Sequence, residues 1–89
     1  MNESCYVISF KDLSNTNTIS LETAIREYGT WARITSDTWA VVTSQSAVQI
    51  RDNLQSFLPP GGRLFVIKSG IEAAWTNVEC SSEWLKQNL

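Results

Sequence analysis

Two aspartates stand where predicted strands end. Asp12 follows the first strand, and the pair Ser36 and Asp37 separates the second strand from the third. The first two strands are expected to run parallel, so their C-terminal ends lie at the same end of the sheet. Paired carboxylates can hold Mg²⁺ or Mn²⁺ and activate water for phosphodiester cleavage. Asp12 is therefore the candidate metal ligand and catalytic residue, with Asp37 and Ser36 as further catalytic candidates; ordinary loop and turn roles for both aspartates remain the alternative.

The composition excludes several other chemistries. The 89 residues include no histidine, which rules out Ser-His-Asp and Cys-His catalysis and any histidine-containing metal site. Cys5 and Cys80 are too few for a zinc site or a disulfide framework. Seven basic residues against nine acidic ones, with no basic cluster, are atypical of a nucleic-acid-binding protein. No apolar run predicts a membrane span and no signal peptide is expected, so the predicted location is the cytoplasm.

Four tryptophans could also carry a function. Trp31, Trp39, Trp75 and Trp84 have the flat rings on which unpaired bases stack. Tryptophans in strands or beside an amphipathic helix more often anchor a core or an interface. We therefore favour a packing role for all four.

The first predicted helix follows a polar stretch. Residues 12–18 are rich in Ser, Asn and Thr, which is typical of a loop. Apolar residues then recur at helical spacing, which predicts a helix capped by Thr18 or Ser20 and ended by Gly29.

The remaining pattern completes the order β-α-β-β-α-β. Capping-box spacing at residues 46–49 begins a second helix, which the Pro-Pro-Gly-Gly sequence at 59–62 ends. This order predicts one α+β domain over residues 1–89, a ferredoxin-like sandwich with the first and third strands at the centre of the sheet. The strands are predicted at residues 4–10, at 30–43 on both sides of the turn at Ser36 and Asp37, and at 63–69. A C-terminal strand or arm is expected at 71–78 and a short helix at 81–89.

Both faces of the predicted sheet are apolar. Leu64, Phe65, Val66 and Ile67 in the fourth strand form a continuous apolar run, typical of a strand that is covered on both faces. Two helices can cover only one face, and an uncovered apolar face usually marks an interaction surface. We therefore predict a homodimer in which the C-terminal segment reaches a second copy. The alternative is that this arm folds back over its own sheet.

Short segments over nearly the whole chain carry a family resemblance. They are Tyr6-Val7-Ile8-Ser9-Phe10, Ser36-Asp37-Thr38-Trp39, Ser46-Ala47 with Ile50-Arg51-Asp52, Ala74-Trp75 and Trp84-Leu85-Lys86. These segments resemble a family of small bacterial and phage proteins that are often labelled SinR-like. That family is similar in turn to the ferredoxin-fold dimers of the CRISPR adaptation small nuclease and the VapD-type toxin ribonucleases.

The resemblance implies a homodimer with an active or vestigial acidic site after the first strand, and RNA or DNA as substrate. The leading hypothesis is thus a metal-assisted endoribonuclease of a defence or toxin–antitoxin type system. The relatives place an aspartate directly after the aromatic residue that closes the first strand, whereas this chain has Lys11 there and Asp12 next. The competing hypothesis is a non-catalytic dimeric module that binds a protein or a nucleic acid.

Overall fold

The computed structural model describes residues 2–70 and 72–89. They form a small mixed α+β domain with a four-stranded antiparallel sheet and three helices. No helix within these ranges is long and apolar enough to cross a membrane. The strands are β1 (Ser4–Lys11), β2 (Thr30–Thr35), β3 (Thr38–Thr43) and β4 (Arg63–Lys68), and the helices are α1 (Asn15–Arg26), α2 (Ala47–Leu54) and α3 (Ser82–Asn88).

The strand order in the sheet is β2-β3-β1-β4. The first and third strands therefore lie at the centre, where the sequence places them. In β1, Ile8 is opposite Trp39 of β3 on one side and Val66 of β4 on the other. Opposed residues share a face of the sheet, so this register gathers the large side chains of three strands on one face.

That face, the first face, carries the main core. Ile8 and Trp39 are fully buried there against residues of α1 and α2. The buried members of this core are Tyr6, Ile8, Phe10, Leu21, Ala24, Ile25, Trp39, Val41, Ile50 and Leu54.

The predicted loop at residues 12–18 is too long, because α1 begins at Asn15. Its N-cap is Ser14, whose Oγ accepts a hydrogen bond of 3.2 Å from the backbone N–H of Asn17. Neither Thr18 nor Ser20 is the cap. The apolar spacing missed the first turn because that turn is polar and has no buried residue, so only the capping residue marks it.

The expected left-handed residue after α1 is confirmed at Gly29, where φ is +90°. A Cβ built there meets nothing within 4 Å, so the requirement for glycine comes from the backbone alone. We expect Gly29→Ala to lower the free energy of unfolding by about 1–2 kcal/mol, the cost of a side chain in this region. Gly70→Ala is the matched control: the site is also open but has no such φ, and the change should be below about 0.5 kcal/mol. Denaturant midpoints of the two variants test this, and equal losses would contradict it.

The predicted capping box of α2 is present. Ser46 Oγ accepts from the backbone N–H of Gln49, and Gln49 Oε1 accepts from the backbone N–H of Ser46. The helix ends at Leu54 and continues as one 3₁₀ turn, Gln55–Phe57, before the prolines. We expect Ser46→Ala to cost about 1 kcal/mol of stability in the same denaturation measurement. Ser44→Ala, at an exposed position just before the cap, should leave the midpoint unchanged.

The C-terminal segment (residues 72–89) folds back over its own chain. At the β2 edge of the sheet, the backbone N–H of Glu79 donates to the carbonyl of Ile34 at 2.9 Å. Helix α3 then returns, since Leu85 and Leu89 border the same cavity as Gly70, which follows β4 at the opposite edge. The segment thus crosses the second face, where Ala32 and Ala40 are buried opposite each other. Within one chain, the segment therefore lies over its own sheet, as the alternative predicted.

The two expectations about the end of the chain, a helix and a strand or arm, have different outcomes. The predicted short helix is confirmed as α3, with Ser81 as its N-cap. Residues 72–78 form no strand, and residue 71 lies outside the described residues. The segment instead makes isolated contacts, such as the hydrogen bond of 3.3 Å from Trp75 Nε1 to Ser82 Oγ.

Within one chain β4 is covered on its first face only, so the prediction that both faces are covered is met here on one face and depends on a partner for the other. Leu64 and Val66 pack against the first-face core, but Phe65 and Ile67, on the second face, are 59% and 50% exposed. Helix α2 packs on the β4 side of the first face. On the second face the C-terminal segment leaves Phe65 and Ile67 open to solvent.

Candidate acidic cleft

The C-terminal ends of β1 and β2 lie at the same end of the sheet, as expected. The backbone N–H of Phe10 donates to the carbonyl of Asp37 at 3.0 Å, which fixes the β2–β3 turn beside the end of β1. Between them lies an open cleft of about 240 Å³. All three candidate residues, Asp12, Ser36 and Asp37, line this cleft.

Asp12 reaches the cleft through an unusual backbone conformation. Its φ is +65°, a left-handed value that aspartate tolerates better than most residues. Strand β1 continues through Lys11, and the chain turns at Asp12 towards the start of α1. The turn therefore places Asp12 at the cleft although Lys11 separates it from Phe10.

Arg63 is the partner of the Asp12 carboxylate. Its Nε donates to Asp12 Oδ2 at 2.7 Å, and both side chains are more than half exposed. The ladder between β1 and β4 explains the contact, because Lys11 is directly opposite Arg63 and Asp12 follows at once. Sequence reasoning missed Arg63, since no local pattern links residues that are 51 positions apart.

Asp37 has partners of its own. Its Oδ2 is 3.9 Å from Lys11 Nζ, and its Oδ1 accepts a hydrogen bond of 3.2 Å from Thr35 Oγ1. The latter bond spans the turn and gives Asp37 the structural role that aspartate often has in turns. Ser36 is exposed in the same turn.

The charges of the cleft cancel. Asp12 and Asp37 each face one cation, Arg63 and Lys11 respectively. Within residues 2–70 and 72–89, no three His, Cys, Asp or Glu side chains are grouped as metal ligands. A divalent ion bound here would have two carboxylates at most and would have to displace both cations. Exposed ion pairs contribute only about 0–1 kcal/mol, so their displacement is not itself a large obstacle.

The tryptophans are placed mainly in packing roles. Trp39 is fully buried, and its ring centroid lies 5.3 Å from that of Trp31. Arg26 places its guanidinium carbon 5.2 Å from the Trp39 ring and 5.7 Å from the Trp31 ring. This stack ties α1 to β2 and β3, whereas Trp84 is half-buried and borders a groove beside β2.

The two free thiols differ in environment. Burial raises the pKa of the Cys5 thiol, and a hydrogen bond with Ser69 opposes this rise. Because the folded state keeps this proton to a higher pH than the unfolded state, the thiol's contribution to stability is complete at neutral pH. It declines as the pH rises past the ordinary thiol pKa.

We expect Cys80, which is half-buried, to be alkylated well before Cys5, which is buried. The reacting species is the thiolate, so burial and the raised pKa both protect Cys5. Mass spectrometry of peptides after timed alkylation at neutral pH measures both rates. Faster modification of Cys5 would contradict the burial of this side of the sheet.

Comparisons of the chain with family models, with curated proteins and with solved structures find no match.

Proposed function

We propose that this protein is a homodimeric, non-catalytic binding module with a ferredoxin-like fold, which binds a protein or a nucleic acid in a defence or toxin–antitoxin type system. The central position of β1 and β3 supports the fold assignment, as do helices that follow each of these strands and pack on one face. The cytoplasm is the expected location.

The observation that carries the proposal is the pair of exposed apolar side chains on β4. Phe65 is 59% exposed and Ile67 is 50% exposed, and they lie two residues apart on one face of the sheet. The C-terminal segment buries much of the second face within one chain, so these side chains are what the fold leaves for a partner. A second copy is the simplest partner, since two-fold homodimers are the commonest assembly.

The cleft supports a non-catalytic module. Asp12 and Asp37 each face a cation, and since no third ligand is grouped with them in residues 2–70 and 72–89, they offer a divalent ion two carboxylates at most. Two exposed ion pairs suit a recognition surface of mixed charge. The pair of Arg63 and Asp12 joins the start of β4 to the end of β1, and the pair of Lys11 and Asp37 joins β1 to the β2–β3 turn.

Sedimentation equilibrium of the purified chain tests the dimer, and a nuclease assay on RNA and DNA with Mg²⁺ or Mn²⁺ tests the absence of catalysis. We expect a mass that rises with concentration from 10.0 kDa towards twice that value, without cleavage. A monomer at every concentration would contradict the dimer. Metal-dependent cleavage by homogeneous protein would contradict the non-catalytic assignment.

A metal-assisted endoribonuclease is the second candidate, favoured by one observation. Asp12, Asp37 and Ser36 all line one open cleft that is wide enough for a phosphodiester group. In this candidate Asp12 and Asp37 would hold Mg²⁺ or Mn²⁺, which would lower the pKa of a bound water. Lys11 and Arg63 would then be free to pair with phosphate oxygens of the substrate.

Asp12→Asn separates the two candidates without unfolding the protein. Asparagine tolerates the left-handed φ of Asp12, and an exposed ion pair contributes little, so stability should change by less than about 1 kcal/mol. The matched control is Asp52→Asn, which removes another exposed carboxylate, 2.8 Å from Arg51 in α2. We expect no cleavage by the wild type or by either variant. Cleavage by the wild type and Asp52→Asn, with a loss of at least about 100-fold in Asp12→Asn, would establish the nuclease instead.

A further inference from the structure

We propose that the second copy docks edge to edge on β4, so that two sheets join into one continuous sheet across a two-fold axis at Val66. This inference rests on the proposed homodimer and specifies its surface. The occupant is a β-strand, because an edge strand offers a row of unpaired backbone donors and acceptors as well as its side chains.

The two edges of the sheet are not alike. At the β2 edge the register shifts between Arg33 and Thr35, and Glu79 bonds to the carbonyl of Ile34. A bulge and a covering segment are two ways in which proteins protect a sheet edge. β4 pairs with β1 in continuous register from Arg63 to Lys68 and contains no proline. The β4 strand has neither a bulge nor a proline, so its edge can pair with a further strand.

Exposed apolar side chains surround this edge. Phe65 and Ile67 lie on its second face, and Val48 of α2, which is 55% exposed, borders the same cavity as Phe65. This cavity, of about 290 Å³, runs between α2 and β4. The edge therefore has apolar side chains next to its free backbone groups.

The backbone groups of alternate β4 residues point to the free edge. The N–H of Ser69 donates to Cys5 of β1, so the groups of Phe65 and Ile67 also face β1. Those of Leu64, Val66 and Lys68 consequently face outwards. A two-fold axis at Val66 makes Val66 its own partner in a hydrogen-bonded pair and places Leu64 opposite the partner's Lys68.

This register also matches the side chains. Phe65 lies opposite the partner's Ile67, and Ile67 lies opposite the partner's Phe65, so four exposed apolar side chains cover one another. Arg63 falls opposite the partner's Ser69, which avoids pairs of like charge across the interface. An axis at Phe65 instead would leave Ile67 facing the partner's Arg63. Of these two registers, only the one at Val66 pairs both exposed apolar residues of each strand with apolar residues of the other.

The arrangement keeps the two acidic clefts apart. Arg63, which holds Asp12, and its symmetry mate are separated by about six residues along the paired strands, or ~20 Å. The two Asp12 carboxylates therefore cannot share a metal ion in this dimer. The assembly presents two separate mixed-charge clefts at opposite ends of one extended sheet.

Sedimentation equilibrium of two lysine variants tests the edge. Ile67→Lys places a charge opposite the partner's Phe65, and we expect the dimer dissociation constant to rise by at least about tenfold. The matched control is Ile19→Lys, which makes the same change at a 65% exposed site in α1 and should leave the constant unchanged. Circular dichroism of both variants checks that the fold is retained.

Two further variants test the backbone pairing and the register. Lys68→Pro removes an N–H that points outwards, which an edge strand tolerates, and should also weaken the dimer. The double variant Phe65→Lys/Ile67→Glu places opposite charges face to face at both pairs and should dimerise better than Ile67→Lys. A dimer that is insensitive to Ile67→Lys and Lys68→Pro would overturn the β4 edge while preserving the homodimer. A double variant weaker than Ile67→Lys would overturn the register, and a wild-type monomer would overturn both the edge and the proposed homodimer.

Discussion

Leu85→Ala should lower the free energy of unfolding by about 3 kcal/mol. The Leu85 side chain is 1% exposed, and it is the buried residue of α3. A helix of seven residues is too short to be stable by itself, so α3 depends on this burial to stay on the sheet. Urea denaturation followed by circular dichroism measures the loss.

A second readout identifies its cause. If the C-terminal segment loosens, Cys5 on the second face becomes accessible, so its alkylation should accelerate in Leu85→Ala. The matched control is Lys86→Ala, which changes an exposed neighbour in the same helix and should alter stability by less than about 0.5 kcal/mol. Equal and small losses in both variants would show that α3 does not hold the sheet, and the second face would then be open to a partner.

Local signals in the sequence predicted the elements because they act over a few residues. The capping box at Ser46 and Gln49 and the left-handed turn at Gly29 depend only on neighbouring backbone groups. The start of α1 was placed too late for a related reason. Its first turn lacks apolar residues, so the apolar spacing favours Thr18 or Ser20 as the cap and gives no sign of Ser14.

What covers the second face could not be predicted in the same way. The apolar residues of β1 and β3 show that a cover is needed, but a segment of the same chain and a second copy satisfy that need equally. The same ambiguity applies to β4, where Phe65 and Ile67 look like core residues in the sequence although solvent reaches them. The periodicity of apolar residues predicts which residues share a face of the sheet, but it does not predict which segment or chain covers that face.

The candidate site shows a similar division. Asp12 and Asp37 lie at the same end of the sheet. The order and direction of the strands were enough to predict this. The cation that pairs with Asp12 comes from β4, and its position follows from the register of β1 against β4. Register depends on the packing of the whole sheet, so the neutralised character of the cleft emerged only in three dimensions.

Trp39→Ala should cost about 4 kcal/mol of stability, whereas Trp39→Phe should cost much less. The Trp39 ring is fully buried and contacts the Trp31 ring and the guanidinium groups of Arg26 and Arg33, so alanine removes these contacts and leaves a cavity. Phenylalanine keeps a ring for Arg26. The indole N–H of Trp39 has no acceptor within the described residues, so its removal breaks no hydrogen bond there.

Trp31→Ala is the control for the aromatic stack, because Trp31 is 37% exposed and its loss opens no enclosed cavity. We expect it to cost about 2 kcal/mol, from the lost partial burial of the ring together with the aromatic pair. Denaturant midpoints of the three variants give the ranking, provided that the m-values of the variants are equal. If Trp39→Phe were as damaging as Trp39→Ala, the indole nitrogen would have to make a contact that this packing does not provide. If Trp31→Ala were the most damaging, the stack would be anchored from the edge strand β2 and not from the centre of the sheet.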